Sequence, residues 1–245
     1  MNGAARLLLT RPQAASERLL DACEAVWGRP IPAIISPVMA IQPRAVDLPE
    51  RPDGLILTSE HGARRAGALG LAGLPAWCVG RRTADVAAAE GLQARVAGQE
   101  AEELVERLLT ERPSGLLLHL RGEHARGNIA ARLNAAGLCA GEAVAYSQEA
   151  LPPTPEAHAA LQDPDPLVVP LFSPRSATLL AAWTPAAPLD VIALSDAVAQ
   201  AAGPLRPASL VTAAGPNGTA MVQAILDRFT GLQASGLRGA REQIR

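Results

Sequence analysis

The sequence predicts an α/β protein of two similar parallel-sheet α/β domains, joined by a two-stranded β linker, the second domain inserted in the first. Three observations carry that expectation. One unit occurs twice, from Leu55 to Ala87 and from Val168 to Ala199. In each copy an apolar strand ends at a serine (Ser59, Ser173), a short polar turn follows, and an Ala/Leu-rich helix leads to a second apolar strand that stops at a small residue (Gly80, Ser195). A recurring strand, turn, helix and strand is the pattern of a layered α/β sheet. The apolar content, 49% of the chain, is mostly Ala, Leu and Val with only 2% aromatic residues, which suits helices packed on parallel strands. Two extended stretches, 33–41 and 140–148, flank the first copy and read as the linker strands.

The elements follow in order. Residues 6–10 (RLLLT) form a strand, ended by Thr10-Arg11-Pro12, with Pro12 opening a helix whose Leu19, Leu20, Cys23 and Val26 recur at helical spacing. Pro37 interrupts 33–41, as expected of a linker or edge strand. Residues 43–52 are a proline-rich loop. After the first copy come a short strand near 92–96, a helix over about 99–111, and a buried strand GLLLHL over 115–120. A helix carrying Ile129, Leu133 and Ala136 follows, with Gly137 placed to cap its C-terminus. Residues 155–162 form a helix before the second copy. A strand over 208–212 precedes the last helix, where Met221, Ile225 and Phe229 share a face. The expected partition is 1–36 with 149–231 as one domain, 43–142 as the other, 37–42 and 143–148 as linker strands, and 232–245 as a frayed tail.

Composition narrows the function. Net charge is −2, lysine is absent, and no basic tract is interleaved with aromatics, so nucleic acid is not an expected partner. The 22 basic residues are all arginine, the side chain suited to forked contacts with carboxylate or phosphate, although most belong on solvated helix faces. The cysteines, Cys23, Cys78 and Cys139, are far apart and read as buried or half-buried thiols in a reducing compartment. The opening apolar run is too short for a signal peptide and no run approaches a membrane span, so a cytoplasmic protein is expected.

Chemistry belongs at the carboxyl ends of the strands, where helix N-termini offer free N–H groups. Ser59, Thr83, Ser173, Ser176 and Ser195 stand at expected helix starts. Taken singly, each is an N-cap. Their recurrence at matched places in two copies points to a surface that holds anionic oxygens. No phosphate loop, dinucleotide fingerprint or nucleophile elbow is present, and the four histidines lack metal-ligand spacing. Tyr146 is the single tyrosine; its position reads as a packing residue with a hydroxyl reaching water.

Six segments in order resemble the uroporphyrinogen-III synthase family: LLLTRP as its opening strand and turn, LILTSEHGARR as its FTSxNAV segment, CVGRRTA as VGxxTA, HLRGEHARGNIAARLNAAG as its RG segment, EAVAYSQ as its linker strand, and LFSPRSA as FTSPSAV. The resemblance implies two α/β domains with the substrate in the cleft between them. It implies cyclisation of hydroxymethylbilane with loss of water and inversion of the last ring, giving uroporphyrinogen III for heme biosynthesis, without cofactor or metal. It assigns Tyr146 to departure of the hydroxyl, with Thr83 as the second catalytic residue. Arg11, Ser59, Gly80, Arg121, Ser173, Arg175, Ser176 and Ser195 are substrate-binding. A monomer with hydroxymethylbilane as substrate, met transiently by the upstream deaminase, is the implied state. The chain departs from the family at ALSDAVA, where Ser195 stands for a glycine and Val198 for a threonine, and at His61, where the family prefers asparagine. The alternative function is a non-catalytic two-domain module binding a small anionic ligand in its cleft, and a weaker one is a degenerate relative retained for protein interaction.

Overall fold

The computed structural model describes residues 5–48, 51–124 and 127–242, with side chains to residue 231. The chain divides into two compact units. The first comprises Met1–Ala40 and Ala150–Arg245, and the second, Ile41–Glu149, is inserted within it.

The first unit is built on a five-stranded sheet. Its strands are β1 (Arg6–Leu9), β2 (Ala33–Ile35), β9 (Leu167–Leu171), β10 (Leu189–Ala193) and β11 (Ser209–Thr212), in spatial order β11-β10-β9-β1-β2. Every pairing is parallel. The fully buried runs of β9 and β10 are what a sheet covered on both faces requires. Pro170, which has no N–H to donate, stands two residues beyond Val168, where the β1–β9 pairing stops. Helices α1 (Gln13–Trp27) and α9 (Gly218–Glu242) close over one face. Their Leu19, Cys23, Met221, Ile225 and Phe229 pack with Leu7, Leu9, Val168 and Ile192 of the sheet. Also in this unit are α6 (Pro155–Gln162), α7 (Pro174–Ala181) and α8 (Asp196–Ala201). The expected frayed tail is corrected: the helical backbone of α9 continues to Glu242, since nothing between 231 and 242 breaks a helix as proline would.

The second unit carries a six-stranded sheet in the order β3-β8-β7-β4-β5-β6. The strands are β3 (Met39–Pro43), β4 (Gly54–Leu57), β5 (Pro75–Val79), β6 (Gln93–Gly98), β7 (Leu116–Gly122) and β8 (Cys139–Ala150). Alternation along β4 fixes its two faces. Leu55 and Leu57 pack with Ala63, Ala66, Ala84 and Ala87, from α2 (Glu60–Ala68) and α3 (Gly80–Ala89). Ile56 packs on the other side with Leu104, Leu108, Ile129 and Leu133, from α4 (Ala101–Glu111) and α5 (Ile129–Ala135). The two places where the chain passes between units fall in β3 and at the end of β8, which are neighbours in the sheet. The stretch expected to serve as a linker strand is therefore part of a twelve-residue strand, and β8 pairs in parallel with β7 from Cys139 to Tyr146. Cys139 is exposed rather than buried, because it opens that strand.

Candidate functional site

In the second unit the strand ends bring Tyr146, Ser59 and Gly122 together. Ser59 follows β4 and caps α2: its extended backbone (φ −155°, ψ 155°) lets its Oγ accept the Gly62 N–H at 3.2 Å. The same Oγ lies 2.8 Å from the Tyr146 hydroxyl. Tyr146 sits on β8 opposite Gly122 of β7, one step past a register shift between Arg121 and Gly122. A Cβ at Gly122 would fall 2.6–3.0 Å from Cε2, Cζ and the hydroxyl of Tyr146, so only glycine admits the ring there. Tyr146 is 5% exposed, and its hydroxyl bonds to Ser59, which corrects the expectation of a hydroxyl reaching water. Burial raises its pKa above the ordinary phenol value, while hydrogen bonds from Ser59 and the Gly122 backbone pull it down. The His61 ring stands at 5.5 Å from the Tyr146 ring, tilted by 59°.

A second buried polar group lies below these strand ends. His119 of β7 is 2% exposed, with Thr58 Oγ1 at 3.3 Å from Nε2, while Nδ1 has no partner among the described residues. Burial first, then the Arg121 charge, lower its pKa from 6.5 to about 4 against the pull of Glu142. The imidazole is therefore neutral at physiological pH.

The other expected site residues of this unit take different roles. Thr83 is not at a helix start. Helix α3 begins at Gly80, whose φ of +73° turns the chain directly from β5 into the helix, and Thr83 lies inside it, 6% exposed. A Cβ on Gly80 would meet nothing within 4 Å, so glycine is there for its backbone angle. Arg121 is already engaged: it pairs with Glu142 at 2.6 Å and donates to the Gly122 and Glu123 carbonyls.

In the first unit, the Arg11 guanidinium covers the Phe172 ring at 4.1 Å, so the ends of β1 and β9 meet. Ser16 Oγ donates to the Arg11 carbonyl at 2.9 Å. Ser173 caps α7, accepting the Ser176 N–H at 3.1 Å, and the two hydroxyls are 2.8 Å apart. Ser176 is thus the third residue of the helix rather than its cap, and Arg175 occupies the turn between them. Ser195 occupies the N-cap of α8 but its side chain makes no capping bond, and Val198 beside it is 2% exposed.

Sequence reasoning missed Gly122, Thr58 and the His119–Glu142 pairing. The signal for Gly122 was a glycine directly at the end of an apolar strand, where a ring from the next strand must approach the backbone. Among the described residues, no group of histidine, cysteine and carboxylate side chains could hold a metal ion, and no helix is long and apolar enough to cross a membrane.

Comparison with known proteins agrees with this architecture. The family model described as uroporphyrinogen-III synthase HemD matches residues 28–223. The crystal structure of uroporphyrinogen-III synthetase from Helicobacter pylori is similar at a TM-score of 0.68 and 15% identity, covering 92% of this chain and 99% of that one. A mutant uroporphyrinogen III synthase from Thermus thermophilus is similar at a TM-score of 0.52 and 17% identity, covering 93% and 99%. No curated protein sequence matches significantly. The two solved structures share the fold, and the family model spans well over half of the sequence: this chain belongs to the uroporphyrinogen-III synthase family.

Proposed function

We propose that the chain closes the linear tetrapyrrole hydroxymethylbilane to uroporphyrinogen III, a cyclising hydro-lyase reaction that removes the terminal hydroxyl and inverts the last ring. Family membership supports this reading, since the family's enzymes act on a small-molecule substrate in heme biosynthesis. The observation that carries it to the residue level is the single tyrosine, buried against Ser59 and Gly122 at the strand ends of the second unit. A phenol gripped in place is suited to assist departure of a hydroxyl as a general acid.

The rest of the equipment is modest, and the chemistry asks for little. The substrate loses its hydroxyl readily, so the protein's main task is to impose one geometry on ring closure. Tyr146 assists the hydroxyl, and Thr83 is the second catalytic residue. Arg11, Ser59, Gly80, Arg121, Ser173, Arg175, Ser176 and Ser195 hold the eight carboxylates and the pyrrole chain. Arg121 would exchange Glu142 for a substrate carboxylate. Helix starts at Ser59 and Ser173 supply N–H groups for the same purpose. The reaction needs no cofactor. We place it in the cytoplasm, as a monomer that receives its unstable substrate from the upstream deaminase.

The test is the isomer ratio. Purified protein given freshly generated hydroxymethylbilane is expected to yield mostly uroporphyrin III after oxidation and chromatography. Isomer I at the rate seen without protein would overturn the reading. Tyr146→Phe is expected to slow formation of isomer III by about 100-fold with circular dichroism unchanged.

A further inference from the structure

The second unit carries a cleft at the ends of its strands opposite to Tyr146, where β4, β5 and β7 begin. Its volume is about 480 Å³, within the range of small-ligand sites. Pro75, Trp77, Pro113 and Leu117 give it an apolar wall, and Asp53, Arg95 and Glu111 bring charge to it. None of these residues has a part in the synthase reading above.

Glu111 is already served. Its Oε2 accepts the Trp77 indole N–H at 2.8 Å and its Oε1 accepts from Arg107. Arg95 is a third and looser partner, 3.5 Å from Oε2, with a side chain 48% exposed and, among the described residues, no side-chain hydrogen bond. Its guanidinium lies over the Trp77 ring at 4.7 Å from the centroid. Stacking fixes the plane of the fork and leaves its N–H edge for an anion.

Asp53 is held just as firmly, from the other side. Its amide donates to the Leu116 carbonyl at 2.9 Å, and its Oδ2 accepts the Leu116 N–H at 2.7 Å. Gly115, at a φ of +81°, lies so close that a Cβ there would fall 2.2 Å from Oδ2. Oδ1 is left over, and among the described residues no cation pairs with Asp53. One cleft therefore holds a fixed carboxylate and a fixed guanidinium that do not pair with each other. A simple anion would meet Asp53 and Glu111, and a simple cation would meet Arg95. A neutral apolar molecule would strip water from both charges and replace it with nothing. A molecule carrying both charges satisfies both.

We propose that this cleft binds a small zwitterion of the α-amino-acid type, with its carboxylate on Arg95, its ammonium on Asp53 Oδ1 and its apolar side chain against Trp77, Pro75 and Leu117.

The Trp77 indole N–H reports on the cleft directly, because it sits between the wall and Glu111. The chain has three tryptophans, so ¹H–¹⁵N spectra of the full-length protein show three indole signals, and Trp77→Phe identifies the one from the cleft. Three probes are titrated at neutral pH: L-phenylalanine, 3-phenylpropanoate, which lacks the ammonium, and phenethylamine, which lacks the carboxylate. L-Phenylalanine is expected to shift the Trp77 signal saturably and to bind at least about tenfold more tightly than either analogue, the size expected for one charge-assisted hydrogen bond. Asp53→Asn keeps an acceptor for the Leu116 N–H. It is expected to weaken L-phenylalanine about tenfold and to leave 3-phenylpropanoate unweakened. Arg95→Gln leaves Glu111 its other two donors and is expected to weaken L-phenylalanine and 3-phenylpropanoate, but not phenethylamine. Unmoved signals from Trp27 and Trp183 and an unmoved free-state Trp77 signal show that each variant is folded. A Trp77 signal that none of the probes shifts, or an analogue that binds as tightly as L-phenylalanine, would overturn the proposal. So would L-phenylalanine binding that both variants leave unchanged.

Discussion

His119 is a histidine that the fold keeps from acting as one. It lies in the middle of β7, 2% exposed, with Thr58 at 3.3 Å on one nitrogen and, among the described residues, no partner on the other. Its charged form is disfavoured in the folded protein, with a pKa lowered from 6.5 to about 4. A folded pKa below the unfolded one means that the unfolded chain takes up the proton first as pH falls. The stability tied to this residue is therefore fully present above pH 6.5 and is lost progressively toward pH 4, amounting to roughly 3 kcal/mol. His119→Leu has no proton to take up, so its stability is expected to decline less over that interval. Urea unfolding at a series of pH values checks this, and parallel acid limbs in the two proteins would show that His119 does not titrate as described.

At the scale of elements, matching serines do unequal work. Ser173 closes the start of α7 through the Ser176 N–H and bonds to the Ser176 hydroxyl, whereas Ser195 stands at the same place before α8 and its side chain makes no capping bond. Ser173→Ala is expected to cost about 1 kcal/mol and Ser195→Ala less than about 0.5 kcal/mol. Equal losses in thermal unfolding would mean that the capping geometry is not what distinguishes them. This pair also shows where the sequence was legible and where it was not. Strand and helix order followed from apolar runs ended by small residues, because burial on both faces of a parallel sheet leaves that pattern. Which serine caps, and which sits a turn inside, depends on backbone angles at one or two residues. Thr83 was misplaced for that reason: Gly80 enters α3 through a positive φ and needs no capping side chain. The Tyr146–Ser59 contact joins residues 87 apart through a register shift on β7, and periodicity carries no record of such a shift. Only the family resemblance singled out Tyr146 for chemistry.

At the scale of the whole molecule, two units with separate cores sit on one chain, and each core has its own weak point. In the first unit, Asp190, the second residue of β10, is 4% exposed, with Arg228 of α9 at 2.6 Å from its carboxylate. That pair ties the long C-terminal helix to the sheet it covers. Replacing the pair by apolar groups could be neutral, but removing the arginine alone leaves a buried carboxylate without its counter-charge. Arg228→Leu is therefore expected to cost the first unit about 3 kcal/mol, and adding Asp190→Asn is expected to return part of that. The tryptophans separate the readouts: Trp77 belongs to the second unit, Trp27 and Trp183 to the first. In variants that retain one of them at a time, Arg228→Leu is expected to lower the melting temperature reported by Trp27 or Trp183 more than that reported by Trp77. The acid sensitivity of His119 should appear in the Trp77 signal first, since His119 and Trp77 lie in the same six-stranded sheet. If Arg228→Leu shifts all three signals together, the two cores unfold as one cooperative body, and the stability of the Tyr146 site would depend on a helix in the other unit.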